Sequence, residues 1–500
     1  VSVASNLFER VLGYVVPRRA LARELARSRM NGVLAARMQY EGATTSRRSQ
    51  GWRVVSTDAN AEVLAGRSRL RDVARDMVRN NPHAARAKQV IAHNVVGKGI
   101  LPSALSTVEQ GQAELERLLK AHFDTTACDV LGRHNLAGLE ALVMGTVVEA
   151  GECLVRMRPR RASDKLPLPF QLQVMEPDHL DAAVNGRLPN GNVAIQGVEF
   201  TRFGKIVAYH LFNEHPGSLL SGFFPSHPVP AEFVAHIFRT DRPGQARGVT
   251  WFAPIILRLR DRADVADAYL MRQKIAACFA AFIHSNDEFI EETNADGTPK
   301  VNDRDVPLET IEPGMIERLR DGEQVSFGNP PGVGDYGDYM MNVDREVAVG
   351  LGISYESLTG DLSNVNFSSG RMGWLEFQRS IDAWRGHMLR PQLCDRIGQW
   401  FLDAAAVELG RRWPAEIIWS EPRREMINPA QEVPATIKAI RGGLTSRSEE
   451  QRNRGFDPAD LDAEIAADNA RADDNGLIFD SDPRKVTNAG NPVEVPDFQD

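Results

Sequence analysis

Two hydrophobic periods alternate along the chain. From residue 59, Leu64, Leu70, Val73, Met77 and Val78 recur at three- and four-residue spacing, which predicts a helix ending at Asn80-Asn81-Pro82, because proline disfavours helical geometry in the residue before it. A second helix is expected from Pro82 to about Val96, stopped by Gly97-Lys98-Gly99, and others over 107–123 and 136–150. After Gly151 the period becomes two: 152–157, 170–175, 193–195, 197–201 and 206–212 read as strands, with turns at Asn190-Gly191 and Phe203-Gly204. A further strand near Val229 runs into a basic turn rich in proline and glycine. Helical spacing returns over 251–284, where Ile255, Leu259, Ala263, Ala266, Leu270, Ala277 and Ala281 form a stripe rich in small residues. At 1.5 Å per residue such a helix would span about 45–50 Å. Residues 285–331 are polar and turn-rich, with strand candidates at 314–319 and 324–327, and a helix follows over 339–351. A helix from 372 to 389, broken at Pro391 and resuming to 409, precedes a strand after Trp413-Pro414. Short helices are expected over 434–441, 446–453 and 458–469, and the residues from 481 on read as disordered.

Between two of these helices lies a polar, glycine-punctuated loop, 358–370. It contains Gly360, Asp361, Ser363, Asn364, Asn366, Ser368, Ser369 and Gly370, with Phe367 inside it and Trp374 just beyond. Such residues bond to their own backbone or to water, and a long polar loop inside a compact chain commonly carries function.

Composition narrows the class. With 500 residues, 42% hydrophobic and 25% charged, the chain suits a soluble globular protein of several segments, and the pattern gives an α+β fold. Cys128, Cys153, Cys278 and Cys394 are scattered without zinc spacing, which argues against a disulfide framework or structural zinc. The apolar run 275–283 is far short of the roughly 20 residues of a bilayer span, and neither a signal peptide nor an anchor is read. Net charge is −8, but residues 1–100 hold 18 Lys/Arg against 7 Asp/Glu, and 450–500 hold 5 against 13. The basic front could face phosphates or an acidic partner, or could simply be solvated helix faces.

Catalytic motifs are missing: there is no HExxH, GxSxG or GxxxxGK[ST]. Gly332-Val333-Gly334-Asp335-Tyr336-Gly337 matches GxGxxG by letter only, since Pro330-Pro331 precedes it and no βαβ unit follows. Glu176, Asp178, His179 and Asp181 fit a solvated capping turn better than a metal site, and His236, among apolar neighbours, fits a satisfied core histidine. No cofactor, metal or catalytic residue is therefore expected, and an assembly protein is favoured over an enzyme.

Several stretches in this order resemble the lambda-type family of bacteriophage portal proteins over roughly residues 50–475. They are LRDVARDMVRNNPHAARAKQVIAHNVVGKGI (70–100), GECLVRM (151–157), LQVMEPDHLD (172–181), VPAEFVAHIFRTDRPGQARGVTWFAPII (229–256), VAVGLGISYESLTGDLSNVNFSSGRMGW (347–374) and GGLTSRSEEQRNRGFDPADLDAEIAADN (442–469). Phe367, where the family's usual aromatic is tyrosine, and Gly370 before Arg371 are departures. The resemblance implies a portal-type fold assembling into a ring, typically a dodecamer, with an axial channel for double-stranded DNA at one capsid vertex. It assigns an α+β wing to 51–250, stem helices to 251–284 and 332–357, and a clip to 285–331, while residues 1–50, which precede it, read from their composition as a weakly ordered basic segment. A tunnel loop falls at 358–370, a wing-crossing helix with its return strand at 371–429, a crown at 430–478 and a tail at 479–500. The implied partners are the terminase large subunit, major capsid and scaffold proteins and a head–tail connector, with no membrane, and assembly in the host cytoplasm. Asn364, Asn366, Phe367, Ser368, Ser369 and Arg371 would be the DNA-facing residues of the loop. Arg258, Arg262, Arg272 and Lys274 are candidates for a basic ring in the stem, with salt bridges between subunits as the other reading of each. The rival functions are a phage nuclease or maturation protease and a membrane pore.

Overall fold

Side-chain caps and glycines set most element boundaries in the computed structural model. The structure describes residues 56–219, 225–277, 281–285, 323–327, 335–422, 428–479 and 481–485, with isolated positions before residue 52. Residues 1–58 form a unit of their own, and the account below concerns 59–500. The expected segment 1–50 and strand 314–319, most of 285–331 and the tail beyond 485 lie outside the described residues.

Gly66 divides the helix expected from residue 59 into α1 (Ala59–Leu64) and α2 (Arg67–Asn80). In α3 (Pro82–Val96), Asn81 Oδ1 accepts from the N–H groups of His83 and Ala84, and Gly97 closes the helix at φ +54°. β1 (Leu101–Ser106) has no clear alternation and is defined by its distant partner strand. α4 (Glu109–Phe123) and α5 (Leu136–Ala150), the latter capped by Asn135, precede β2 (Glu152–Pro159) and β3 (Phe170–Met175). β4 (Gly186–Arg187), β5 (Val193–Ile195), β6 (Val198–Phe200), β7 (Ile206–Leu211) and β8 (His227–Pro230) form an antiparallel five-stranded sheet in that order. β9 (Val234–Phe238) joins β2 and β3 in a second sheet of order β3-β2-β9. Along β2, Cys153 and Val155 enter the main core beneath α3 and α5, while Leu154 enters a second core with Val198, Tyr209 and Leu211 of the five-stranded sheet. Both faces of the strand are therefore covered, which explains its apolar run Cys153-Leu154-Val155.

The helix expected over 251–284 is shorter: α6 covers Ile256–Ala277. Its 22 residues span about 33 Å. Residues 251–255 form turns around Pro254 that bury Trp251 and Phe252, and Ala281–Ser285 is a strand, β10, paired with β11 (Glu323–Phe327). α7 (Tyr336–Leu351), α8 (Tyr355–Thr359) and α9 (Phe367–Trp384) follow. The break expected at Pro391 is instead a run of wide π-type turns, Arg385–Cys394, leading directly into α10 (Asp395–Leu409). The wider turn makes room for a residue that has no N–H and would clash with the carbonyl four residues earlier. Within it, the buried Arg385 donates to the carbonyls of Val95 and Asn94 at the end of α3. β12 (Ala415–Ser420) pairs with β1 from Leu101↔Ser420 to Ser106↔Ala415. α11 (Pro429–Arg441), α12 (Arg447–Asn453) and α13 (Pro458–Asp474) complete the described chain, and α11 and α13 run longer than expected.

A charged knot joins α2, both sheets and the segment before α6. Glu152, fully buried, accepts from Arg67 Nη1 at 2.5 Å, from Arg247 Nη2 at 2.7 Å and Nε at 3.0–3.1 Å, from His236 at 2.9 Å and from the Gly248 N–H at 2.9 Å. His236 is thus the satisfied core histidine expected. Arg247 also donates to the carbonyls of Gln196 and Pro177. Gly248 has to be glycine: a Cβ there would lie 2.7 Å from Phe238 Cβ and 2.8 Å from Glu152 Cβ.

Candidate functional site

The loop between α8 and α9 is more ordered than its composition suggests. Ser354 caps α8 through the Ser357 N–H, and Gly360 ends it at φ +75°. Asp361 then accepts from the Ser363 N–H and hydroxyl and from Tyr355 Oη. α9 begins at Phe367, inside the expected loop, because Asn366 and Ser369 form a capping box. Asn366 Oδ1 accepts from the Ser369 N–H at 2.8 Å, and Ser369 Oγ accepts from the Asn366 N–H at 3.2 Å and donates to its carbonyl. Two of the expected DNA-facing residues therefore hold the helix start. Asn364 and Ser368 are exposed and Arg371 is half-buried one turn on.

The basic candidates lie on α6, which packs antiparallel to α7. Arg262 makes a two-pronged bond to Asp344 of α7, at 2.6 and 3.2 Å, in a half-buried position with His83 beside the same carboxylate. Arg258 reaches Glu346 at 3.1 Å. Both are salt-bridged within the chain, an outcome that spacing alone does not give. Arg272 is half-buried, and Lys274 is exposed near the end of α6. Tyr269 stacks on Tyr336 with ring centroids 3.9 Å apart. On the outer sides of this pair, Leu257, Leu270, Met271 and Val349 are 72%, 52%, 58% and 79% exposed, and Ala263 of the small-residue stripe is exposed as well.

The two helices converge at Gly350, where an added Cβ would overlap Ile255 Cγ2, and Ile255 is buried and β-branched. Gly350→Ala is expected to destabilise the chain by about 1–3 kcal/mol through overpacking. Gly337→Ala, in the same helix with nothing within 4 Å, should be neutral or mildly stabilising. Urea unfolding of both variants tests the close approach, and equal effects would refute it.

Of the turn expected to be solvated, Glu176 is exposed but Asp178 is half-buried. Arg75 bonds both, at 2.8 and 2.6 Å, and Arg71 reaches Asp178 at 2.8 Å, so the turn docks α2 on the sheets. Burial works against the Asp178 carboxylate, but these guanidiniums hold it below its ordinary range. His215 stands beside the pair at 3.2 Å from Glu176, yet two arginines already balance the charge a metal would need. Among the described residues no helix is long and apolar enough to cross a membrane.

The family model for phage portal proteins of the lambda family matches residues 45–385. The chain belongs to that family. The match spans every described strand except β12, together with α6, α7 and the loop before α9, and the function is that of a phage portal protein, as the sequence resemblance implied. Among relatives, a "Probable portal protein" of Halomonas phage phiHAP-1 is 26% identical over 453 residues, 86% of each chain. The "Portal protein" of Escherichia phage N15 is 21% identical over 462 residues, covering 83% of this chain and 86% of that one. Among solved structures, a chain of the virion of a native gene transfer agent particle aligns with TM-score 0.43 and 16% identity over 82% of this chain and 96% of its own. A portal protein of the HK97 family from Corynebacterium diphtheriae aligns with TM-score 0.33 and 9% identity over 72% and 95%.

Proposed function

We propose that this portal protein acts as a closed ring at the capsid vertex, without catalysis of its own, through whose channel double-stranded DNA enters and leaves. The observation that carries the ring is the α6–α7 pair. Its polar contacts are satisfied internally by Arg262–Asp344 and Arg258–Glu346, while Leu257, Leu270, Met271 and Val349 stay exposed on its outer sides. A soluble chain covers such a surface by association, and repeated copies of one heterologous contact close into a ring. Twelve copies follow the family expectation. In this reading the two helices form the stem, the region between them a clip for the terminase large subunit and the head–tail connector, and the outer sheets a wing against capsid and scaffold proteins.

Asn364, Ser368 and Arg371 are the DNA-facing group of this proposal, with the first turn of α9 offering N–H groups at the positive end of the helix dipole. Lys274 is the stem cation best placed to meet phosphates, since Arg258 and Arg262 are held by α7 carboxylates. Few cations per subunit let DNA slide, because each phosphate contact adds salt-sensitive affinity. Replacing Asn364, Ser368 and Arg371 together by alanine spares the Asn366–Ser369 cap. Rings should still appear in negative stain, and nuclease-protected DNA per filled head should fall several-fold. Normal retention would remove the tunnel-loop assignment, and loss of rings would assign these residues to assembly.

A further inference from the structure

Arg156 and Arg158 occupy alternate positions of β2 and so share one face, and Arg160, just past the strand end at Pro159, continues the same two-residue spacing. Comparable half-buried or buried arginines of this domain, Arg67, Arg71, Arg75 and Arg247, are each bonded to a carboxylate. Arg156, Arg158 and Arg160 have none within ion-pair distance among the described residues. They are nevertheless held in place. Arg158 Nε donates to Gln173 Oε1 at 2.7 Å and Arg160 Nε to Gln171 Oε1 at 2.8 Å, while the Gln171 amide is itself anchored on the carbonyls of Ala127 and Asp129. Arg156 Nη1 is buried without any acceptor. Burial and the neighbouring Arg158 push the Arg156 guanidinium down to about 10, so the row repels itself.

The row borders a groove. β9 pairs with β2 only as far as Arg156↔Val234, so beyond it β2 has an open edge on that side. β8 is the last strand of the five-stranded sheet, and its outer edge lines the opposite wall. The cavity between them, about 260 Å³, is lined by Arg156, Arg158, His227, Pro228, Pro230 and Phe233 among others. Pro228 and Pro230 lack N–H groups, so this edge cannot zip up with a strand through its backbone and recognition falls to the side chains. The opening suits a few side chains and is too narrow for a duplex.

We infer that this groove is a docking site for an extended acidic polypeptide segment, whose alternate carboxylates pair with the guanidiniums of β2 while its intervening residues rest on Pro228, Pro230 and Phe233. An extended segment repeats its side chains at the same two-residue interval as β2, so several carboxylates can meet several guanidiniums at once. The interface goes beyond the channel function and does not depend on it.

The test uses the full chain and fluorescence anisotropy with three labelled probes: an alternating Glu-Thr peptide, an alternating Lys-Thr peptide and a short DNA duplex. At low salt the Glu-Thr peptide should bind, and Arg156→Gln with Arg158→Gln should weaken it at least about tenfold. The double variant should melt at the same temperature as the parent or higher, because two mutually repelling charges are gone. Unchanged peptide affinity, or equal binding of the Lys-Thr peptide, overturns the inference. Duplex binding that falls in the variant, with no Glu-Thr binding, reassigns the groove to nucleic acid. A lowered melting temperature with no peptide binding assigns the arginines to stability alone.

Discussion

Glu152→Ala should cost about 3–5 kcal/mol, enough to leave the chain largely unfolded or aggregated if its total stability is the usual 5–15 kcal/mol. Glu152 is the anion shared by Arg67 and Arg247, and removing it leaves two buried guanidiniums facing each other with no counter-charge. Arg67→Met should cost less, because the paired Glu152–Arg247 unit keeps its balance and its bonds to the Gln196 and Pro177 carbonyls. Urea unfolding of both variants gives that order, and a larger loss for Arg67→Met would sink the account. Acid should not mimic the mutation near neutrality. Burial opposes the charged form of Glu152, but Arg247, Arg67 and the His236 bond together hold it well below its ordinary range. Its stabilisation is therefore full above the ordinary carboxylate range and is lost only as pH falls through that depressed value. Burial first, and the neighbouring arginines, lower His236 below its ordinary range against the pull of Glu152, to whose carboxylate it donates.

The sequence made the helices and the strands with clear alternation legible, because caps and periods are local: Asn81-Pro82 and Gly97 bound α3 where expected, and β3 and β5 match residue for residue. What it hid is long-range. β1 has no period and exists through β12, more than 300 positions away. The knot around Glu152 draws on Arg67, His236 and Arg247, and no spacing rule links those positions. At the candidate site, composition located the loop, but whether a serine or asparagine caps a helix or faces a ligand depends on where the helix begins. Asn366 and Ser369 followed by Gly370 could have signalled that start, as an N-cap residue three positions before a hydroxyl partner. For α6, a stripe of small residues ran on past the helix end because the same apolar letters, 281–285, serve a strand. Arg258 and Arg262 read either as channel cations or as partners in salt bridges between subunits, and the acids they meet, Glu346 and Asp344, come instead from α7 of the same chain. The family was legible where the fold was not, since ordered runs of residues identify a lineage without specifying contacts.

The second large effect is a pH dependence centred on Glu140. This residue of α5 is fully buried among Leu136, Leu139, Val143, Leu172, Leu393 and Ile397. Its Oε2 accepts from the Ile100 N–H at 2.8 Å, and Oε1 has no partner. Burial raises the carboxyl from 4.5 to about 8, against the weaker pull of the Ile100 bond, so it is protonated in the folded chain at neutral pH. Between those two values the folded state binds the proton and the unfolded state does not, so stability falls as pH rises, by about 1.4 kcal/mol per unit. The contribution is complete below pH 4.5 and gone above about 8, a swing of roughly 4–5 kcal/mol. His122 acts at the acid end: buried without partners and lowered to about 4, it removes stability as pH falls through the range from 6.5 to that value. Comparing variants at each pH separates the two. Glu140→Gln keeps the acceptor for Ile100 and places an amide where the protonated hydroxyl stood. It should match the parent near pH 4.5 and exceed it by about 3 kcal/mol at pH 7, read from urea unfolding at each pH. A difference that stays constant from pH 5 to 8 would mean the carboxyl is ionised in the folded chain, with water or a shifted partner reaching Oε1.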